Sequence, residues 1–355
     1  MKLRATASAM FVIPALTGVV LVSTVAPAAA KAAPDVLLEN LSSPKGLAVG
    51  QDGNPIVAQG AFGPPGPVLS YTLHGRGHGS TFDITEPTGL VDVAEGPFGE
   101  GWGLGGGILY RQAADATSPV EVLNLRAYQK SDPDPYNTNG RPGESNAYGL
   151  TVLPNGDALV ADAAANDIVR VTPDGDAWTV ARFDARVVST DQAPPNLGLP
   201  PAMPAEAVPT SVTNGPGGDV LVGQLVGFPF PVGDSNVWRI DPDANGVLCS
   251  VDNPEQGCSV YASGFTAIQD VAYDGRNRTL YVYQLAADGV FAFEEGLGTG
   301  VFPDAVLTQQ KAGKRTELAA GQLSQPGGVA VGRAAGQVLV TDGVFTSGRL
   351  LLVKN

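Results

Sequence analysis

The chain has 355 residues, 43% of them hydrophobic and only 16% charged, a balance that excludes a disordered, highly charged polymer. With 21 basic against 35 acidic residues and a net charge of −14, it lacks the basic surface that nucleic acid or an anionic membrane face would need. Two histidines leave little for multi-histidine metal sites or histidine-based triads, while 46 glycines and 29 prolines without a collagen-like period suit many short strands joined by turns.

Lys2 and Arg4 precede an apolar stretch over residues 10–25, and Ala28, Ala29, Ala30, Ala32 and Ala33 supply small residues for cleavage. This layout predicts a signal peptide over residues 1–30, cut near 30–32. Residues 34–355 are then expected to form one exported domain, secreted or periplasmic, monomeric, and not inserted in a membrane once the signal is removed. Cys249 and Cys258 are the only cysteines, nine residues apart, and outside the cytoplasm they are expected to be joined as a disulfide.

A repeat follows. Gly46-Leu47-Ala48-Val49 turns at Asp52-Gly53 and returns through Ile56-Val57-Ala58. The same hairpin pattern opens at Gly149, Ser211, Asp270 and Gly328, with turns such as Asn155-Gly156 and Asp274-Gly275. The last four starts are separated by 62, 59 and 58 residues, and the gap of 103 before Gly149 leaves room for one further unit. That unit is placed around residues 97–110, where Phe98-Gly99-Glu100-Gly101-Trp102 precedes Ile108-Leu109-Tyr110. Third strands recur at 168–171, 237–240 and 350–353. Such units at this period predict an all-β chain folded as a six-bladed β-propeller. The chain stops inside a third strand, and Val36-Leu37-Leu38-Glu39 has no unit of its own; pairing the two closes the ring and removes an open edge.

Small residues at the strand starts (Gly46, Gly149, Ser211 and Gly328) fit a narrow central channel, whereas Asp270 puts a carboxylate there. Thirteen or fourteen positions later each unit carries a polar residue: Gln59, Asp162, Gln224, Gln284 and Asp342. Glu144, Asn146 and Tyr148 lead into the third unit. The ligand-binding rim is therefore predicted at Glu144, Asn146, Tyr148, Asp162, Gln224, Asp270, Gln284 and Asp342. Its side chains either form an oxygen-rich funnel for Ca²⁺ or a polar ligand, or satisfy turn and strand-end backbone groups. Asp241, Asp243 and Asn245, followed by a bend at Gly246 and by Asp252, match the spacing of calcium-loop ligands. The strand-like flanks exclude an EF-hand, so the competing reading is a turn clipped by the cysteine pair. Residues 101–106 read formally G-x-G-x-x-G, but a strand follows where a nucleotide loop needs a helix. His74 and His78 fall in a glycine-rich surface loop. Residues 131–142 and the proline-rich 193–204 are long inserts suited to lids or partner loops.

With the repeats in place, Glu144-Ser145-Asn146-Ala147-Tyr148-Gly149-Leu150, Val160-Ala161-Asp162-Ala163 and above all Gly223-Gln224-Leu225-Val226-Gly227-Phe228-Pro229-Phe230-Pro231 resemble stretches of the ScyD/ScyE family. Ala207-Val208-Pro209-Thr210-Ser211 and residues 261–270 are similar too. The resemblance implies an exported bacterial propeller akin to NHL repeats and implies no particular activity. The chain is thus expected to be a binding or scaffold propeller engaging a polar small molecule, a glycan or a partner protein at the channel rim. The alternative is a Ca²⁺-dependent, lactonase-like hydrolase with the metal held by Glu144, Asn146, Asp162 and Asp270.

Overall fold

The computed structural model describes residues 33–64, 66–71, 78–82 and 89–354. The expected signal peptide and His74 lie outside the described residues.

Six antiparallel sheets follow one another along the chain as the blades of a propeller. After β1 (Asp35–Leu41), blade one holds β2 (Leu47–Val49), β3 (Pro55–Val57), β4 (Val68–Tyr71) and β5 (His78–Phe82). Blade two holds β6 (Leu90–Glu95), β7 (Gly101–Gly105), β8 (Ile108–Gln112) and β9 (Val120–Asn124), followed by the helix α1 (Leu125–Ser131). Blade three holds β10 (Ala147–Val152), β11 (Ala158–Asp162), β12 (Asp167–Val171) and β13 (Ala177–Phe183), and a ribbon of β14 (Arg186–Ser189) and β15 (Ala202–Ala205) leads out of it. Blade four is β16 (Pro209–Asn214), β17 (Val220–Gln224), β18 (Ser235–Ile240) and, after β19 (Val247–Cys249), β20 (Cys258–Phe265). Blade five is β21 (Ile268–Asp274), β22 (Thr279–Gln284), β23 (Val306–Lys311) and β24 (Lys314–Leu318), interrupted after β22 by the helix α2 (Gly289–Thr299). Blade six is β25 (Val329–Val331), β26 (Gln337–Asp342) and β27 (Gly348–Lys354), and β1 adds its outer strand by pairing with β27, Asp35 opposite Leu352 and Leu41 opposite Gly348.

The core lies between neighbouring blades, where the two faces of each sheet bury alternate residues. Between blades three and four, Leu159, Ile168, Phe183, Val222 and Trp238 form one buried cluster, with the Phe183 and Trp238 rings 5.7 Å apart edge to face. Equivalent clusters join the other blades. Cys249 and Cys258 are bonded. Their loop carries β19 across to pair in parallel with β13, so blade four donates a fifth strand to blade three.

One expectation needs correction. Residues 97–110 are not the first hairpin of blade two: its inner strand is β6, and Gly101–Gly105 and Ile108–Gln112 are its second and third strands. The misplacement arose because β6 carries Asp92 where a small residue was sought. Among the described residues two α-helices lie in connections between strands. Asn124 caps α1 by accepting from the Ala127 N–H at 3.0 Å, and Gly300 at φ 76° ends α2.

Candidate functional site

Each inner strand begins at one face of the propeller, here called the rim, and runs to the other. Most of the opposite face is closed by tight turns such as Leu153–Asp157 and Gly215–Asp219, its long excursion being residues 241–257. The rim carries the segments 132–146, 184–208, 225–234, 285–305 and 343–347. Long connections gathered on one face of a rigid scaffold mark where ligands are met.

The channel narrows at a ring of equivalent residues: Gly46, Asp92, Gly149, Ser211, Asp270 and Gly328. Blades two to five break register at this level, between Leu90 and Asp92, Ala147 and Gly149, Pro209 and Ser211, and Ile268 and Asp270. The recurring bulge turns the ring residue towards the axis. Sterics set the small residues: a Cβ on Gly149 would lie 2.7 Å from Ser211 Cα, and one on Gly46 2.7 Å from Asp92 Cα.

Asp92 and Asp270 sit three blades apart and therefore opposite one another. Each ties its own blade to the next. Asp92 accepts from the Val93 N–H at 2.9 Å and the Leu150 N–H at 2.8 Å; Asp270 accepts from Val271 at 2.8 Å and Val329 at 2.7 Å. Burial pushes both carboxyls above the usual range, and for Asp270 the Asp92 charge adds to this, reaching about 7. Lys45 and the backbone donors pull the other way.

One residue before the ring, alternate blades supply Lys45, Tyr148 and Gln269. The Lys45 Nζ donates to the Tyr148 carbonyl at 2.8 Å and lies 4.0 Å from the centre of its ring, and Gln269 Nε2 donates to the Tyr148 hydroxyl at 2.7 Å. Two cavities that share no lining residue lie near this trio. A channel cavity of about 250 Å³ is lined by the six inner strands, including Asp92 and Asp270. A rim cavity of about 370 Å³ lies beyond Tyr148, bounded by Phe62, Ser145, Asn146, Arg126, Val91, Ala61, Ala147 and the backbone of Gly60, Gly63, Gly89, Gly106 and Gly107.

Phe62 lines the rim cavity, and further phenylalanines gather on the rim connections. Phe62 stacks on Phe345 with centroids 5.0 Å apart, Phe345 meets Phe293, and Phe293 meets Phe302. Phe228, Phe230 and Phe291 form a second, mutually edge-on group. The helix α2 carries a member of each group, Phe291 and Phe293. These are seven of the twelve phenylalanines in the chain, and Phe62, Phe228 and Phe345 remain 46%, 39% and 42% exposed. A core has no use for such placement; a binding face does.

The rim residues expected from the sequence divide by position. Asn146 and Tyr148 line the rim cavity and Asp270 the channel cavity. Asp162 is buried and accepts from the Asn146, Ala164 and Ala165 N–H groups and from the Ser145 hydroxyl at 2.5 Å. Gln224 accepts from the Trp238 indole at 2.9 Å, Gln284 accepts from the Thr266 N–H at 2.8 Å, and Asp342 takes Arg349 in two bonds of 2.9 and 2.7 Å. Gln59 likewise accepts from the Ser42 N–H at 2.8 Å. These five side chains are thus engaged by backbone or side-chain partners at the rim ends of their blades. Glu144 is exposed and paired with Arg141. Glu144, Asn146, Asp162 and Asp270 do not share one centre. In the 241–252 segment, Asp243 bonds Arg170 at 2.6 Å, which also holds Asp157, and Asp241 accepts from the Asp243 N–H at 2.9 Å. Asn245 and Asp252 are exposed. Among the described residues no three His, Cys, Asp or Glu side chains converge to hold a metal ion.

No protein-family model matches the sequence, and comparison with curated proteins finds no relative. Solved structures are similar in fold. A glucose dehydrogenase superposes with a TM-score of 0.56 at 14% identity, covering 91% of this chain and 99% of that one. A PQQ-bound aldose sugar dehydrogenase from Streptomyces coelicolor gives 0.51 at 11%, covering 90% and 96%. A streptogramin B lyase gives 0.47 at 16%, covering 90% and 96%. The chain is a six-bladed β-propeller.

Lys45, Phe62, Asp92 and Arg126 escaped the sequence reading. For Asp92 a signal existed: Asp-Val-Ala occurs at 92–94 and again at 270–272, three blades apart. Phe62 and Arg126 lie in a loop and a short helix outside the repeat, where no period points to them.

Proposed function

We propose that this chain is an exported binding propeller that engages a small molecule or glycan on its rim, above the channel. The observation that carries the reading is the 370 Å³ rim cavity, floored by Tyr148 and walled by the half-exposed Phe62. Its volume suits one sugar-sized or small aromatic ligand. An aromatic face supplies stacking area, and the exposed Asn146 amide supplies a donor and an acceptor. Neighbours of this fold include sugar dehydrogenases, so a ligand of carbohydrate type is compatible with the architecture. The Cys249–Cys258 bond and the lack, among the described residues, of any helix long and apolar enough to cross a membrane are compatible with export. The resemblance to the ScyD/ScyE family fits the same setting. The test is a melting-temperature screen of mono- and disaccharides and aromatic glycosides against the wild type and Phe62→Ala. Ligands that raise the wild-type midpoint and lose that effect in the variant support rim binding. Ligands that stabilise both proteins equally, or none that stabilise either, contradict it.

A further inference from the structure

Among the described residues the one charged side chain that lines the rim cavity is a cation, Arg126, in a chain of net charge −14. We infer that its ligand carries a carboxylate-type anion beside a flat apolar face, and that Arg126 takes the anion; this rests on the rim-binding reading. Arg126 is exposed and lines the cavity. No carboxylate bonds it among the described residues; the same holds for Arg111, Arg278, Arg315 and Arg333, but of these five only Arg126 lines the cavity. Among the described residues no Asp or Glu lines the cavity, although the chain holds 35 acidic residues against 21 basic ones. The Asp162 carboxylate, bonded to the cavity-lining Ser145 and Asn146, is saturated by the Ser145 hydroxyl and three backbone N–H groups.

Local backbone leaves space for the Arg126 side chain. Gly107 has φ 78°, and a Cβ there would meet Arg126 Nε at 2.8 Å and Cγ at 2.9 Å. The glycine therefore leaves the stem of Arg126 room to lie along the cavity wall. Across the cavity, Phe62 is backed by Phe345 at an interplanar angle of 20°, a rigid face for a ring. A forked cation and a flat ring facing one space recognise an anion on a planar or ring-shaped ligand. A neutral sugar would leave Arg126 unpaired.

A matched pair of probes isolates the charge: 4-nitrophenyl β-D-glucuronide and 4-nitrophenyl β-D-glucoside, which differ by a carboxylate in place of a hydroxymethyl group. Both are titrated calorimetrically into the chain at low and moderate salt. The glucuronide is expected to bind at least tenfold more tightly at low salt, with the preference shrinking as salt rises. Arg126→Gln is expected to abolish the preference, and Phe62→Ala to weaken both probes. Equal binding of the two probes by the wild type, or a preference that survives Arg126→Gln, overturns the anion assignment; if Phe62→Ala still weakens both, rim binding stands without it. Failure of both probes to bind, or binding indifferent to Phe62→Ala, overturns rim binding and the anion assignment together. Melting curves of both variants confirm that they are folded.

Discussion

Asp270→Asn should change how stability depends on pH more than it changes stability itself. The Asp270 carboxyl lies near 7 in the fold against 3.8 for an unperturbed group, because burial and the opposed Asp92 disfavour its charge. A carboxyl raised in the fold binds its proton more tightly there than in the unfolded chain. Stability is therefore gained on acidification below 7 and lost as pH rises through 7. Between pH 5 and pH 8 such a group withdraws about 2.5 kcal/mol. For a domain of this size that is roughly 4 °C in melting temperature. The groups facing it are Asp92, also raised and of the same sign, Lys45, and the Val271 and Val329 N–H donors. Asp162, Asp167 and Asp342, raised chiefly by burial, tilt the curve in the same direction. Urea denaturation at pH 5, 6, 7 and 8 should thus show the wild type most stable at the acid end. Asn, which cannot ionise, should remove most of the Asp270 share of the slope. It keeps one acceptor for the two backbone donors and so costs about 1 kcal/mol at pH 5. A wild type whose stability is flat or rises from pH 5 to 8, or a variant with an unaltered slope, would refute the reasoning.

Two further outcomes follow from packing and crosslinking. Gly149→Ala should cost about 2–3 kcal/mol, because its methyl would press on the backbone of Thr210 and Ser211 in the next blade; a melting curve within 1 °C of wild type would contradict the close approach of blades three and four. Replacing Cys249 and Cys258 together by Ser opens a loop closed across nine positions, for an expected loss of about 2.5–3 kcal/mol in denaturant titration.

What could be read from the sequence was what the repeat enforces. A strand that lines a narrow channel needs small residues at its start and a turn behind it, so four of six blades announced themselves through Gly46, Gly149, Ser211 and Gly328, and a fifth, opening at Asp270, through its spacing and its Asp274-Gly275 turn. Blade two was mislaid because Asp92 breaks that rule for the same reason that Asp270 does: it bridges to the next blade. The polar positions were found by register, but register cannot tell which way a side chain faces. Gln59, Asp162, Gln224, Gln284 and Asp342 turn to backbone and side-chain partners within the rim, whereas Asn146 and Tyr148 face open space. The aromatic wall was invisible for a different reason. Phe62, Phe228, Phe291 and Phe345 come from loops and α2, each outside the strand period, and only folding gathers them.

The central claim is that ligands meet this propeller at the rim, on Phe62 and Tyr148, and not inside the channel beyond Lys45. A crystal structure of the chain soaked with 4-nitrophenyl β-D-glucuronide tests it directly. The account predicts the nitrophenyl ring over Phe62 and the carboxylate within hydrogen-bond distance of Arg126. Ligand density between Asp92 and Asp270, or on the opposite face beside residues 241–257 with the rim cavity empty, would contradict it.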